Sequence, residues 1–385
     1  MMDEPIYLDF NATTPVAPEV FAAMTPYLTT EFGNPSSGHV YGRRARDAVE
    51  RARGQVAELI GAQADEIVFT SCGTEANNLA IRGWAAALGR PAHMVTSTIE
   101  HPATEQPCRL LEAAGWQVSR APVGPSGRLD PFEVAGLLRP DTALVSIMHA
   151  NNETGILQPI TEIVHETARH GITVHSDAAQ SVGKLPVLVN ALGVDLLSLA
   201  GHKLHAPKGI GALFVRRGTR LAPLIVGGGQ ERSLRPGTEN VAHIVGLGAA
   251  CALAQRRLAE NGDRVMALRD RLWNRLASRI PGLKLTGDPR HRLPNTLNIR
   301  FPEMRGNAVL ATAPTIAAST GSACHEGGEH ASAVLRAMGI AEADALGAVR
   351  LSLGWTTSEA EVEAAAAALI AAWRCCTLDG GGRSG

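Results

Sequence analysis

The chain has 385 residues and a formal net charge of −1, from 36 lysines and arginines against 37 aspartates and glutamates. That length exceeds one compact core and points to two or three units at roughly 150 residues each, while so balanced a charge argues against direct binding of nucleic acid. No apolar run approaches the ~18 residues of a membrane span, and the opening MMDEPIYLDF is acidic where a secretory leader is basic, so a cytoplasmic protein is expected.

Up to about residue 255, β-branched and apolar segments alternate with amphipathic ones. VYGRRARDAVERARGQVAELI, from Val40, sets Ala45, Val49, Val56, Leu59 and Ile60 near one face of a helix. EIVFT, HMVTST, ALVSIM, GITVHSD, DLLSLA and GALFV read as strands, which predicts a mostly parallel α/β sheet. TENVAHIVGLGAACALAQRRL reads as a long helix opening at Thr238, after Pro236-Gly237. From about Asp263 the order becomes helix, strand (KLTG), strand (TLNIRF), helix (ASAVLRAMG), strand (VRLSLG) and an Ala-rich helix, the pattern of a smaller α+β domain. The terminal LDGGGRSG has little to bury and is expected to be disordered. Six cysteines with no CxxC pair form neither a disulfide framework nor a zinc pattern.

Three segments carry chemistry together. Lys203, in AGHKLHAPKGIGALFV, follows a strand beside glycines, where a flat ligand meets no steric conflict; alone, such a lysine reads equally as a solvated one. Asp177 ends the strand GITVHSD, and an amine with an acid is the pair that a pyridoxal ring needs, one to bind its aldehyde and one to keep its nitrogen protonated. In SCGTEANNLAIRG a Gly-Thr turn entering a helix offers N–H groups and the Thr74 hydroxyl to a phosphate, although an ordinary N-cap by Thr74 accounts for that hydroxyl as well.

TSCGTEANN, TSTIEHPA, NNETG, HSDAAQSVGK, GHKLHAPKGIGALFVRRG, GGGQERSLRPGTEN, STGSACHEGG and VRLSLG, taken in this order and spacing, resemble the signature segments of the NifS-like cysteine desulfurases, over roughly residues 6–373. The resemblance implies a fold-type I transferase dependent on pyridoxal 5′-phosphate (PLP), a homodimer whose large domain holds a mostly parallel seven-stranded sheet. It implies a large domain over residues 16–255, a small α+β domain over 1–15 and 256–376, and a disordered tail over 377–385. Residue by residue, it implies that Lys203 is the Schiff-base lysine, Asp177 the partner of the ring nitrogen, Gln180 a donor to the ring oxygen and His101 the imidazole stacked on the ring. Thr74 and His202 become phosphate ligands, joined by Thr238 from the other subunit, and Asn152 with Arg350 holds the substrate carboxylate, for which a guanidinium fork is the suitable partner.

Cys324 lies among small residues in STGSACHEGGEH, a composition suited to a mobile loop. By the resemblance it is the thiolate that takes sulfur from L-cysteine as a persulfide, leaving L-alanine, and passes it to an acceptor protein. Cys72, Cys108 and Cys251 are expected to be structural, buried cysteines, and no metal is expected. Ala200 stands where the family usually has a phosphate-binding serine, Ala331 where it commonly has a proline, and Cys324 precedes His325-Glu326-Gly327-Gly328 where a Thr-Ser pair is usual. The short segment GNAVLATAPTIAA, the Cys324-His325 pair and GGGQERSLRPGTEN also resemble selenocysteine lyases. That enzyme is therefore the first alternative, and a catalytically silent scaffold for an iron–sulfur or tRNA-modifying partner is the second.

Overall fold

The computed structural model describes residues 4–320 and 331–380. Its strands are β1 (Ile6–Tyr7), β2 (Ile67–Thr70), β3 (His93–Ser97), β4 (Gln117–Ala121), β5 (Thr142–Ser146), β6 (Thr173–Asp177), β7 (Leu196–Ala200), β8 (Gly211–Val215), β9 (Lys284–Leu285), β10 (Thr296–Arg300), β11 (Ile316–Ala317) and β12 (Ala348–Ser352). Seven form the main sheet, in the order β2-β8-β7-β6-β5-β3-β4. Its pairs are parallel except those on either side of β8, which is antiparallel to both β7 and β2. The mostly parallel sheet expected from the alternation is therefore present, with the seven strands that the resemblance implied. Because β8 alone reverses, β2 runs with β7, and the carboxyl ends of six strands open on one edge. In such sheets ligands bind in the crevice beyond those ends.

Apart from the edge strand β4, the strands are buried on both faces because helices cover both sides. The helix Val40–Ile60 buries all five residues named from its sequence and ends at Gly61, whose φ of 66° is the left-handed conformation glycine allows. It packs on the long helix Val241–Ala277 at a close crossing. A Cβ at Gly248 would lie 2.6 Å from the Ala52 Cα, so only glycine admits this approach.

A second apolar cluster gathers Leu8, Val265, Leu272, Leu297, Phe301, Val349, Leu351 and Leu369. It joins the first residues of the chain to its last third, with β1 parallel to β11 and β10 between β9 and β12. Two element boundaries differ from expectation. The long helix begins at Val241, three residues after Thr238, because the Asn240 side chain caps it by accepting from His243 N. It then runs unbroken to Ala277, through position 255. The last helix, Glu359–Gly380, continues into the expected tail, since Ala-rich residues up to Ala372 give it a buried face from which to propagate. Among the described residues no helix is long and apolar enough to cross a membrane.

The segment that follows Gly229 is tied to β2 by a buried ion pair. Arg53 donates through Nη2 to Glu231 Oε1 at 2.7 Å and through Nη1 to Oε2 at 2.8 Å, while Phe69 N donates to the same Oε2 at 2.8 Å. Glu231→Ala removes the anion and strands a buried guanidinium, so urea unfolding is expected to show a loss of about 3–5 kcal/mol. A loss under ~1 kcal/mol would show that the pair is not a structural tie.

Candidate active site

At the carboxyl edge of the sheet lies a pocket of about 410 Å³ whose lining includes Thr74, Asn77, His101, Asn152, Asp177, Gln180, His202, Lys203 and Arg350. Asp177 is the last residue of β6, Lys203 closes the short turn after β7, and His101 follows β3, so neighbouring strand ends bring the three together. The structure thus gathers nine of the residues picked from the sequence or needed to support them. Thr238 is exposed and outside the lining of this pocket. Cys324 and His325 lie outside the described residues.

Lys203 Nζ donates to the backbone carbonyls of Asn11 and Ala12, the latter at 2.8 Å. Burial, and then the charge of Arg350, lower its pKa to about 8, with Asp177 and Asp9 opposing. Asp177 is held at both oxygens: Oδ2 accepts from Asn77 Nδ2 at 2.7 Å and Oδ1 from Ala179 N at 2.9 Å. Each oxygen keeps a lone pair for a further donor. Asn77 itself is only 1% exposed, and its Oδ1 has no hydrogen-bond partner among the described residues.

His101 caps the helix Pro102–Ala113, its Nδ1 accepting from Ala103 N at 3.1 Å, which leaves Nε2 to carry the proton of the neutral ring. Desolvation in the pocket wall lowers its pKa, and Asp177 partly offsets this. His202, beside Lys203, falls to about 4 because burial and then the Lys203 charge disfavour an imidazolium. Gln180 Nε2 donates to Asn11 O at 3.0 Å.

Several readings of single residues change. The sequence left the Arg350 carboxylate partner to the substrate, but Asp9 Oδ1 already accepts from Nη2 at 2.7 Å, and Nη1 donates to the Asn152 backbone oxygen at 2.9 Å. Thr74 is not an N-cap: Cys72 is, its Sγ accepting from Glu75 N at 3.5 Å. Cys72 is accordingly half-buried and lines the pocket, unlike the buried Cys108 and Cys251. Ala200 reaches Gly73 closely, since a Cβ there would stand 3.1 Å from the Ala200 methyl. Asn11 and Asp9 were not singled out, and no local signal marks them: their partners are found only across the fold.

An amine with a pKa of about 8 becomes free at lower pH than an ordinary lysine. In the cofactor-free protein, acetylation of Lys203 followed by peptide mass spectrometry is expected to rise with a midpoint near pH 8, about two units below a solvated lysine. Arg350→Met removes a repelling cation and moves the midpoint up. A wild-type midpoint at or above pH ~10 would contradict the burial argument.

The profile of the Aminotransferase class-V family matches residues 6–365. Cysteine desulfurase 2 of Trichormus variabilis is 49% identical over 360 residues, which cover 93% of this chain and 90% of that protein. Among solved structures, a NifS-like protein superposes with a TM-score of 0.90 at 35% identity, covering 97% of this chain and all of that one. A structure described as SspA in complex with cysteine gives 0.81 at 37% identity, over 90% of this chain and 98% of that one. With a family profile over nearly the whole chain and relatives this close, the chain belongs to the class-V aminotransferase family, among its NifS-like cysteine desulfurases.

Proposed function

We propose that this chain is a PLP-dependent cysteine desulfurase, which converts L-cysteine to L-alanine and passes the sulfur through Cys324 to an acceptor protein. The observation that carries the reading is the convergence of Lys203, Asp177, His101 and Arg350 on one pocket at the carboxyl edge of the sheet. The donor set suits PLP. Asp177 keeps lone pairs for a protonated ring nitrogen, Lys203 has an amine of lowered pKa for the aldehyde, and the orphaned Asn77 Oδ1 marks a polar contact still to be made. When bound, PLP supplies an electron sink next to the substrate Cα.

The residues of the chain supply the rest. Lys203 Nζ is the anchor and, as the free amine, the base for the Cα proton. With a pKa of about 8, roughly a tenth of it is unprotonated at pH 7, some two orders of magnitude more than for a solvated lysine. His101 presents its ring to the cofactor face. Gln180 Nε2 is the donor for the ring oxygen, and Thr74 with His202 faces the phosphate. Asn152 and Arg350 receive the substrate carboxylate, so Asp9 must yield or share the guanidinium. Thr238, exposed on its own protomer, serves its partner's pocket in a homodimer. The second apolar cluster, Leu8 with residues between Val265 and Ala372, supports a small domain over 1–15 and 256–376 beside a large one over 16–255; the helix Val241–Ala277 is common to both, and residues between Ala331 and Ala348 pack on the main core.

Lys203→Ala is expected to lose both the visible band of the PLP-loaded protein and alanine formation from cysteine. A variant that keeps both would show that another lysine carries the cofactor. Cys324→Ala is expected to bind cysteine but release almost no alanine in excess reductant, whereas a variant that still desulfurates cysteine, and acts on selenocysteine, would favour the lyase. A chain with no band at all would be the scaffold.

A further inference from the structure

Lys184 has no part in the roles assigned above, yet its ammonium is turned under the pocket. Nζ donates to Gln180 Oε1 at 2.9 Å and to Asn11 Oδ1 at 2.8 Å. Burial, then the charges of Lys203 and Arg350, press its pKa well below that of an ordinary lysine. Both of these acceptors are neutral amide oxygens, so the contacts do little to stabilise a charge and much to orient the amides.

The two ends of a side-chain amide have nearly the same shape and opposite hydrogen-bonding character. Gln180 Nε2 faces the backbone carbonyl of Asn11, which can only accept, and Gln180 Oε1 faces Lys184. Asn11 is arranged in the same way. Its Nδ2 donates to Thr296 Oγ1 at 2.9 Å and to the Asn152 carbonyl at 3.3 Å, while Oδ1 accepts from Lys184 and, at 3.1 Å, from Asn295 Nδ2. Flipping Gln180 would set its NH₂ against the lysine donors and its oxygen against the Asn11 carbonyl. Without Lys184 only one of those two conflicts remains.

We propose that Lys184 is a positioning residue that locks the Gln180 amide with its NH₂ toward the pocket, ready to donate to the ring oxygen of PLP, and that steadies Asn11 against Lys203. The proposal rests on the PLP reading of the site and deepens it. A lysine that merely filled space would leave no trace on the cofactor when replaced by an apolar side chain of similar length.

The test uses the full PLP-loaded chain with Lys184→Met, Gln180→Ala and the double variant, and Lys184→Arg as the variant that keeps donors. PLP affinity is read by equilibrium dialysis, and the visible band by its pH midpoint. Lys203, Arg350, Asp177 and Asp9 also face this region and remain in all four variants. Lys184→Met is expected to weaken PLP about tenfold and to raise the midpoint by ~0.5–1 unit, because the donor that fixes the Gln180 amide, and with it the hydrogen bond to the ring oxygen, is lost. The double variant should hold PLP no more weakly than Gln180→Ala alone, since one effect runs through the other. Lys184→Arg should recover part of the loss. An unchanged midpoint and affinity in Lys184→Met, or losses that simply add in the double variant, would overturn the proposal. Far-UV circular dichroism of each cofactor-free variant checks folding, and Lys184→Gln, which keeps a shorter neutral donor, replaces the methionine form if that does not fold and is judged by the same additivity. A wild-type chain with no PLP band, or a Lys203→Ala chain that keeps it, instead overturns the PLP reading beneath the proposal.

Discussion

The backbone carbonyl of Asn11 is the acceptor around which the pocket is assembled. Lys203 Nζ and Gln180 Nε2 both donate to it, so two side chains from different turns at the strand ends share a single oxygen. That oxygen is available because residues 9–13 are not part of a helix or a continuous ladder, and their carbonyls are free to accept from side chains. Asn11 is held in turn by Ser352, Thr296, Asn295 and Lys184. The N-terminal segment therefore lies as a strap between the sheet and the second apolar cluster. It fits closely: a Cβ on Gly354 would come within 2.2 Å of the Phe10 ring.

Around this strap the charges are unbalanced in a useful direction. Lys203, Lys184 and Arg350 lie close to one another, with Asp177 and Asp9 opposing them. In a region partly closed to water, repulsion among cations is stronger than it is at a surface, and protons are easier to remove from the amines. The charge of Arg350 acts on both lysines. Burial, and then the charges of Lys203, Lys208 and Lys184, keep His202 neutral. Its ring is then free to use one nitrogen as a donor and the other as an acceptor, here with Thr13 Oγ1 against Nδ1 at 3.2 Å.

Much of the fold and of the site was legible in the chain. β-branched runs separated by amphipathic stretches identified six of the seven strands of the main sheet, because a strand buried on both faces is apolar along its length; the seventh, the edge strand β4, is only partly buried and carries no such run. Lys203 and Asp177 were legible because one follows a strand and the other ends one, and strand ends on one edge of a parallel sheet must converge; His101 was legible only through the resemblance of its segment to a known family. The length of the helix Val241–Ala277 was not legible, because a helix that passes from one core to another changes its neighbours without changing its period. Thr74 was weighed as a cap because Thr is the commoner capping residue, but Cys72 reached Glu75 N first.

By itself, the sequence determined the alternation of elements, the residues that end the strands and the family to which they belong, since all of these are carried by neighbours along the chain. Only the tertiary structure decided which groups those residues touch. The Arg350 partner Asp9 lies 341 positions away, and the contacts of Lys184 and Lys203 with Asn11 span 173 and 192 positions. No periodicity or spacing encodes such pairings, because they arise when the two ends of the chain close over the sheet. The lowered pKa of Lys203 follows from the same closure: a lysine has the solvated value in any unfolded segment, and the burial that shifts it exists only once the strap, the sheet and the second core are together.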